Sequence, residues 1–102
     1  MSDNLQWLQD WYASQCNDDW EHTYGVRIGT IDNPGWSLEV DLAETDLENH
    51  VLESVEVSRS EEDWFTYGIR DQKFIGACGR RNLDDLIGAF RKVHEEVVYR
   101  KS

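Results

Sequence analysis

Trp36, Leu38, Val40 and Leu42 alternate with Ser37, Glu39 and Asp41, and no other stretch restricts the fold of this chain as strongly. A period of two places the apolar side chains on one face of a strand and the polar ones on the other. Such a strand belongs to a sheet with one face buried and one face wet, the habit of antiparallel sheets. The buried face needs a cover. Two segments with the helical period can supply it. Leu5, Leu8, Trp11 and Tyr12 make one apolar face, which predicts a helix over 4–16 with Asp3 or Asn4 as its cap. Trp7 lies beside that face, and the polar run Asn17-Asp18-Asp19 stops the helix. Leu83, Leu86, Ile87, Phe90, Val93 and Val97 form the second stripe. Asn82 suits its cap, Asp84 and Asp85 suit the positive end of its dipole, and Arg91, Lys92, Arg100 and Lys101 gather towards its other end.

Four further segments read as strands. His22 to Asp32 carries Tyr24, Val26 and Ile28 on one side, and Asn33-Pro34-Gly35 follows as a turn in which Pro fixes φ and Gly permits a positive one. It therefore pairs with the alternating strand as an antiparallel hairpin. A third strand runs through 52–59 with Val55 and Val57 inward; Ser60-Glu61-Glu62-Asp63 turns the chain into a fourth over 64–70. Asp71-Gln72-Lys73 turns it again into a fifth over 74–78. The expected fold is α+β: an antiparallel sheet of about five strands in a meander, flanked by an N-terminal and a C-terminal helix on one face. All 102 residues form one domain in this reading.

Charge narrows the partners. Ten Lys and Arg stand against 21 Asp and Glu, a formal net charge of −11. A surface this negative repels phosphates and anionic lipid, so no direct nucleic-acid or membrane partner is expected. It attracts a basic protein, although acidity also serves plain solubility. Cys16 and Cys78 lack CxxC spacing and read as reduced, partly buried thiols. The opening MSDNLQWLQDWY has no basic region followed by an apolar run, and no stretch approaches 18 apolar residues. The expected location is the cytoplasm.

Motifs for chemistry are scarce. His22, His50 and His94 form no short-range pair of the kind a structural zinc site uses. The acidic run from Asp41 to Glu48 lacks the alternate Asp, the sixth-position Gly and the terminal Glu of a calcium loop. Gly76 and Gly79 belong to no phosphate-binding motif. No cofactor and no catalytic residue is expected. A carboxylate-lined pocket of a small ligand-binding or hydrolytic domain is the alternative, and a DNA mimic with phosphate-like carboxylate spacing a third reading.

The distinctive feature is aromatic rings set among acids. Trp20 lies within Asp18-Asp19-Trp20-Glu21, and Trp64 follows Glu61-Glu62-Asp63. Rigid rings rimmed by charge are how a surface for a basic protein is built. Five Trp are also more than one small core easily hides, so at least one is expected as a contact. The candidate partner-binding residues are Asp18, Asp19, Trp20, Glu21, Glu44, Asp46, Glu61, Glu62, Asp63 and Trp64.

Several of these blocks together resemble the immunity protein 53 family. They are Leu5-Gln6-Trp7-Leu8-Gln9-Asp10-Trp11-Tyr12, Cys16-Asn17, Asp19-Trp20-Glu21-His22 and Tyr24-Gly25. Thr30 to Leu38 through Asn33-Pro34-Gly35-Trp36, then Ser60 to Trp64, Lys73 to Gly76 and Asn82-Leu83, complete the set. The resemblance spans nearly the whole chain. It implies a non-enzymatic inhibitor in a bacterial polymorphic toxin system, encoded beside the toxin domain that it binds and neutralises. A basic nuclease would suit the charge.

Overall fold

A computed structural model describes residues 3–101, with side chains as far as Tyr99. Its elements are α1 (Asp3–Gln15), α2 (Trp20–Thr23), β1 (Val26–Ile31), β2 (Gly35–Asp41), β3 (Leu52–Ser58), β4 (Trp64–Arg70), β5 (Lys73–Gly79) and α3 (Leu83–Lys101). The expected α+β fold is present, with five antiparallel strands and a helix from each end of the chain. The side chains of Arg100 and Lys101 lie outside the described residues. α1 begins at Asp3, so Asp3 and Asn4 sit in its first turn rather than capping it. Asn4 instead ties the helices together, donating to the Asp84 carbonyl and accepting from Arg91.

The sheet is not a meander. Its order is β1-β2-β5-β4-β3, so the chain leaves β2, crosses to the far edge, and returns to seat β5 in the centre. The residues explain the placement. β5 carries buried Phe74 and Cys78 with small neighbours, as a central strand should, whereas β3 exposes Glu53 and Glu56 and is bulged between Leu52 and Val55. Charge and a bulge suit an edge.

Period two decides which side is covered. Trp36, Leu38, Val40, Phe65, Tyr67, Ile69, Phe74 and Cys78 share one face by register, and α3 packs on it through Leu86, Ile87, Phe90, Val93 and Val97. α1 packs on α3, with Trp7 and Trp11 edge-on to Phe90. Gly35 does not adopt a positive φ. It is needed because a Cβ there would collide with the backbone carbonyl of Cys78 on the neighbouring strand. Positive φ falls instead at Asp18, Glu44, Asp71 and Gln72, the last two forming the two-residue β4–β5 turn. Cys78 is buried as a core residue should be, but Cys16 is exposed. Among the described residues no helix is long and apolar enough to cross a membrane.

Candidate functional site

The ten candidate residues fall at opposite ends of the sheet. One end collects the 16–25 segment before β1 and the 42–51 loop after β2. The other collects the 59–63 turn before β4 and the 80–82 connection into α3. Strands of about seven residues at ~3.3 Å per residue separate the two ends by about 20 Å. Asp18, Asp19, Trp20, Glu21, Glu44 and Asp46 therefore form one group, while Glu61, Glu62, Asp63 and Trp64 form another.

The first group is a rigid acidic rim. Glu21 accepts hydrogen bonds from the backbone N–H groups of Asn17 and Asp18, both at 2.9 Å, which holds Asp18 at φ 71°. Bonds from its own backbone and from Asn17 pull the Glu21 carboxyl below the usual range despite some desolvation. Asn17 Oδ1 accepts from the N–H groups of Asp19 and Trp20 and so starts α2. The 42–51 loop is wound in the same manner. Glu48 accepts from the Glu44 N–H at 2.8 Å, and Thr45 bonds back to the Leu42 carbonyl, while Leu47 is fully buried beneath. Trp20 joins the two segments: its Nε1–H donates to the Ala43 carbonyl at 2.9 Å.

Trp20 is 2% exposed and edge-on to Trp11, so it belongs to the core and is not available as a surface anchor. Its hydrogen bond and its ring contacts account for that position. None of the five Trp is among the exposed large apolar side chains; Trp7, Trp36 and Trp64 are half-buried. Trp11 and Trp20 are hidden in the core, so the expectation of at least one contact Trp rests on the three half-buried ones. Three of the five, Trp7, Trp11 and Trp20, meet edge to face in one aromatic cluster with Phe90 and His94. Glu48 was not among the candidates, because its spacing from Glu44 gave no sign that it bonds the backbone of the acidic loop.

Asp18, Asp19 and Glu44 are exposed, and their carboxylates make no ion pair among the described residues. The 16–25 and 42–51 segments hold six Asp and Glu and no Lys or Arg. These two segments are acid-rich and carry no base of their own, although Arg70 and Lys73 flank the neighbouring β4–β5 turn, and the loops are already ordered.

The second group differs. A cleft of about 570 Å³ is lined by Arg59, Glu62, Asp63, Arg80, Arg81 and Asp85 around Asn82. Its acids are occupied. Glu62 pairs with Arg80, and Asp63 with Arg59 at 2.8 Å. Asn82 donates to Asp63 and Asp85 and accepts from the Trp64 N–H at 3.2 Å. Asn82 precedes α3 as expected, but its side chain ties the 60s turn to the helix instead of bonding the helix N–H groups. The Arg59 and Asn82 hydrogen bonds hold the Asp63 carboxyl below the usual range. The cleft reads as a structural lock of paired charges, with exposed Glu61 outside it.

A family model for Immunity protein 53 matches residues 5–95. The match takes in both acidic segments, the Asn33-Pro34-Gly35-Trp36 turn and most of α3. The chain belongs to the immunity protein 53 family. No curated protein and no solved structure matches it. The family supports a non-enzymatic role.

Proposed function

We propose that this immunity protein binds a cognate bacterial toxin domain in the cytoplasm and neutralises it by occlusion, with the rim of Asp18, Asp19, Glu21, Glu44 and Asp46 facing the toxin. The observation that carries the proposal is local charge imbalance: six acids and no base on two pre-ordered loops. Acidic rims steer basic partners and raise association rates by about 10–1000-fold. Loops that are ordered before contact lose little entropy on binding. A basic toxin, such as a nuclease whose groove takes phosphates, is the complementary partner.

The test is calorimetric titration with the catalytically inactivated toxin domain encoded by the adjacent gene, at two salt concentrations. One-to-one binding that weakens as salt rises supports the proposal. Absence of binding at micromolar concentrations removes it.

A further inference from the structure

The two edges of the sheet are treated differently. β3 is blunted by its bulge and by Glu53 and Glu56, the devices that keep an edge from pairing with another chain. β1 has neither. Its register with β2 is unbroken over six pairs, and its one charged side chain, Arg27, is folded back onto Glu39 and Asp41. Asp41 N–H donates to the Gly25 carbonyl at 3.0 Å, which sets the phase of the ladder. Arg27, Gly29 and Ile31 then turn their backbone polar groups towards β2, and Val26, Ile28 and Thr30 turn theirs outward. Among the described residues no hydrogen bond from another element takes those outward groups.

Beside this edge runs an apolar groove of about 300 Å³ between α1 and β1, lined by Leu5, Leu8, Tyr12, Val26 and Ile28. Leu5, Tyr12 and Ile28 are 48%, 39% and 41% exposed, three of the six exposed large apolar side chains among the described residues. The groove ends at the acidic rim: the Tyr12 ring lies 6.1 Å from Trp20, and Cys16 Sγ donates to the Tyr12 carbonyl.

Resting on the immunity reading, we infer that β1 is extended by a strand of the toxin, with an apolar residue in the α1–β1 groove and a Lys or Arg where that strand reaches Asp18, Asp19 and Glu21. Main-chain pairing supplies register and the groove supplies selectivity. Charge chooses the occupant. Two copies of this chain, each at −11, repel one another, whereas a basic strand is attracted.

Thr30→Pro tests the pairing directly. It removes an outward N–H and leaves the β1–β2 ladder its own bonds, which is where edge strands accept Pro. Ile28→Glu tests the groove without altering the backbone, and circular dichroism checks that both variants fold. With the inactivated toxin domain of the adjacent gene, each variant should bind about tenfold or more weakly, the scale of one lost interfacial hydrogen bond or apolar seat. The amides of Ile28 and Thr30 should slow in hydrogen exchange when the toxin is added. If wild-type protein binds while both variants bind within about twofold and those amides stay fast, the strand proposal is overturned and the immunity reading stands. If wild-type protein does not bind, both fall. Protection of the same amides in toxin-free protein that sediments as a dimer would give the edge to a second copy instead, and overturn the proposal.

Discussion

Trp20 donates its indole N–H to the carbonyl of Ala43 at 2.9 Å and so pins the two acidic loops to one another. Trp11, perpendicular to it at 6.0 Å, buries its own Nε1–H without a hydrogen-bond partner. The two indoles therefore respond differently to the same change. Trp20→Phe removes a made bond and leaves the Ala43 carbonyl without that donor, at a cost of about 2–3 kcal/mol. Trp11→Phe removes an unmade one along with some packing, and should cost about 1 kcal/mol less. Urea unfolding midpoints measure the difference. Equal losses would mean that the Ala43 bond does not matter to stability.

The two acidic groups should separate in association kinetics. Reversing Asp18, Asp19 and Glu44 to Lys removes carboxylates that make no ion pair among the described residues, and should slow toxin association on the order of tenfold while flattening its salt dependence. Changing Glu62 to Gln should leave the on-rate nearly unchanged, because Arg80 already holds that carboxylate. Stopped-flow rates at several ionic strengths give both answers. A larger effect at Glu62 would move the binding face to the other end of the sheet.

Gly35 and Gly29 lie on the same hairpin and face opposite outcomes. A methyl group at Gly35 strikes the Cys78 backbone, which cannot move without breaking the β2–β5 ladder. Gly35→Ala should cost about 3 kcal/mol or prevent folding. At Gly29 the nearest atom to an added Cβ is Ser37 Oγ at 3.7 Å, an ordinary contact. Gly29→Ala should change stability by less than about 0.5 kcal/mol. Thermal melts of the two variants compare them.

Acid should destabilise the protein in two stages. Burial pushes the His94 pKa below its ordinary 6.5, with Asp46 and Glu95 only partly offsetting it. The unfolded chain then binds the proton more readily, so stability falls as pH drops through about 6.5 and levels once folded His94 is itself protonated. The second stage comes from carboxylates. Burial works against the Asp41 carboxylate, but Arg27 and the Gly25 N–H outweigh it and hold its pKa below 3.8. Asp63 is held low as well. Their contribution is present above the unfolded pKa and is lost as pH falls through the folded value. Unfolding free energy measured against pH should show both slopes, and His94→Gln should remove the first alone.

The elements were legible because they depend on local period. Alternation from Trp36 to Leu42 yielded β2 to within a residue at each end, and the stripe from Leu83 to Val97 yielded α3, which runs on to Lys101. Strand order was not legible. Pairing β5 with β2 joins residues 32 to 44 positions apart, and no local pattern distinguishes that from a meander. The acids of the candidate site were found by composition. Their division into an open rim and an arginine-locked turn depends on Arg59 and Arg80, whose partners follow from three-dimensional position.

Sequence by itself determined the two long helices, the five strands, which faces were apolar, and that the molecule would carry a large negative charge, since period and composition are properties of the chain. It missed the short α2 over Trp20–Thr23, where a strand was expected from His22. The tertiary structure alone decided that Trp20 is core and not contact, that Gly35 is required by the closeness of Cys78 and not by its own φ, and that Glu62 and Asp63 are paired with arginines while Asp18, Asp19 and Glu44 make no ion pair among the described residues. It also left β1 as the open edge beside an apolar groove. Those outcomes turn on non-local distances, and burial, ion pairing and edge exposure exist only once distant residues meet.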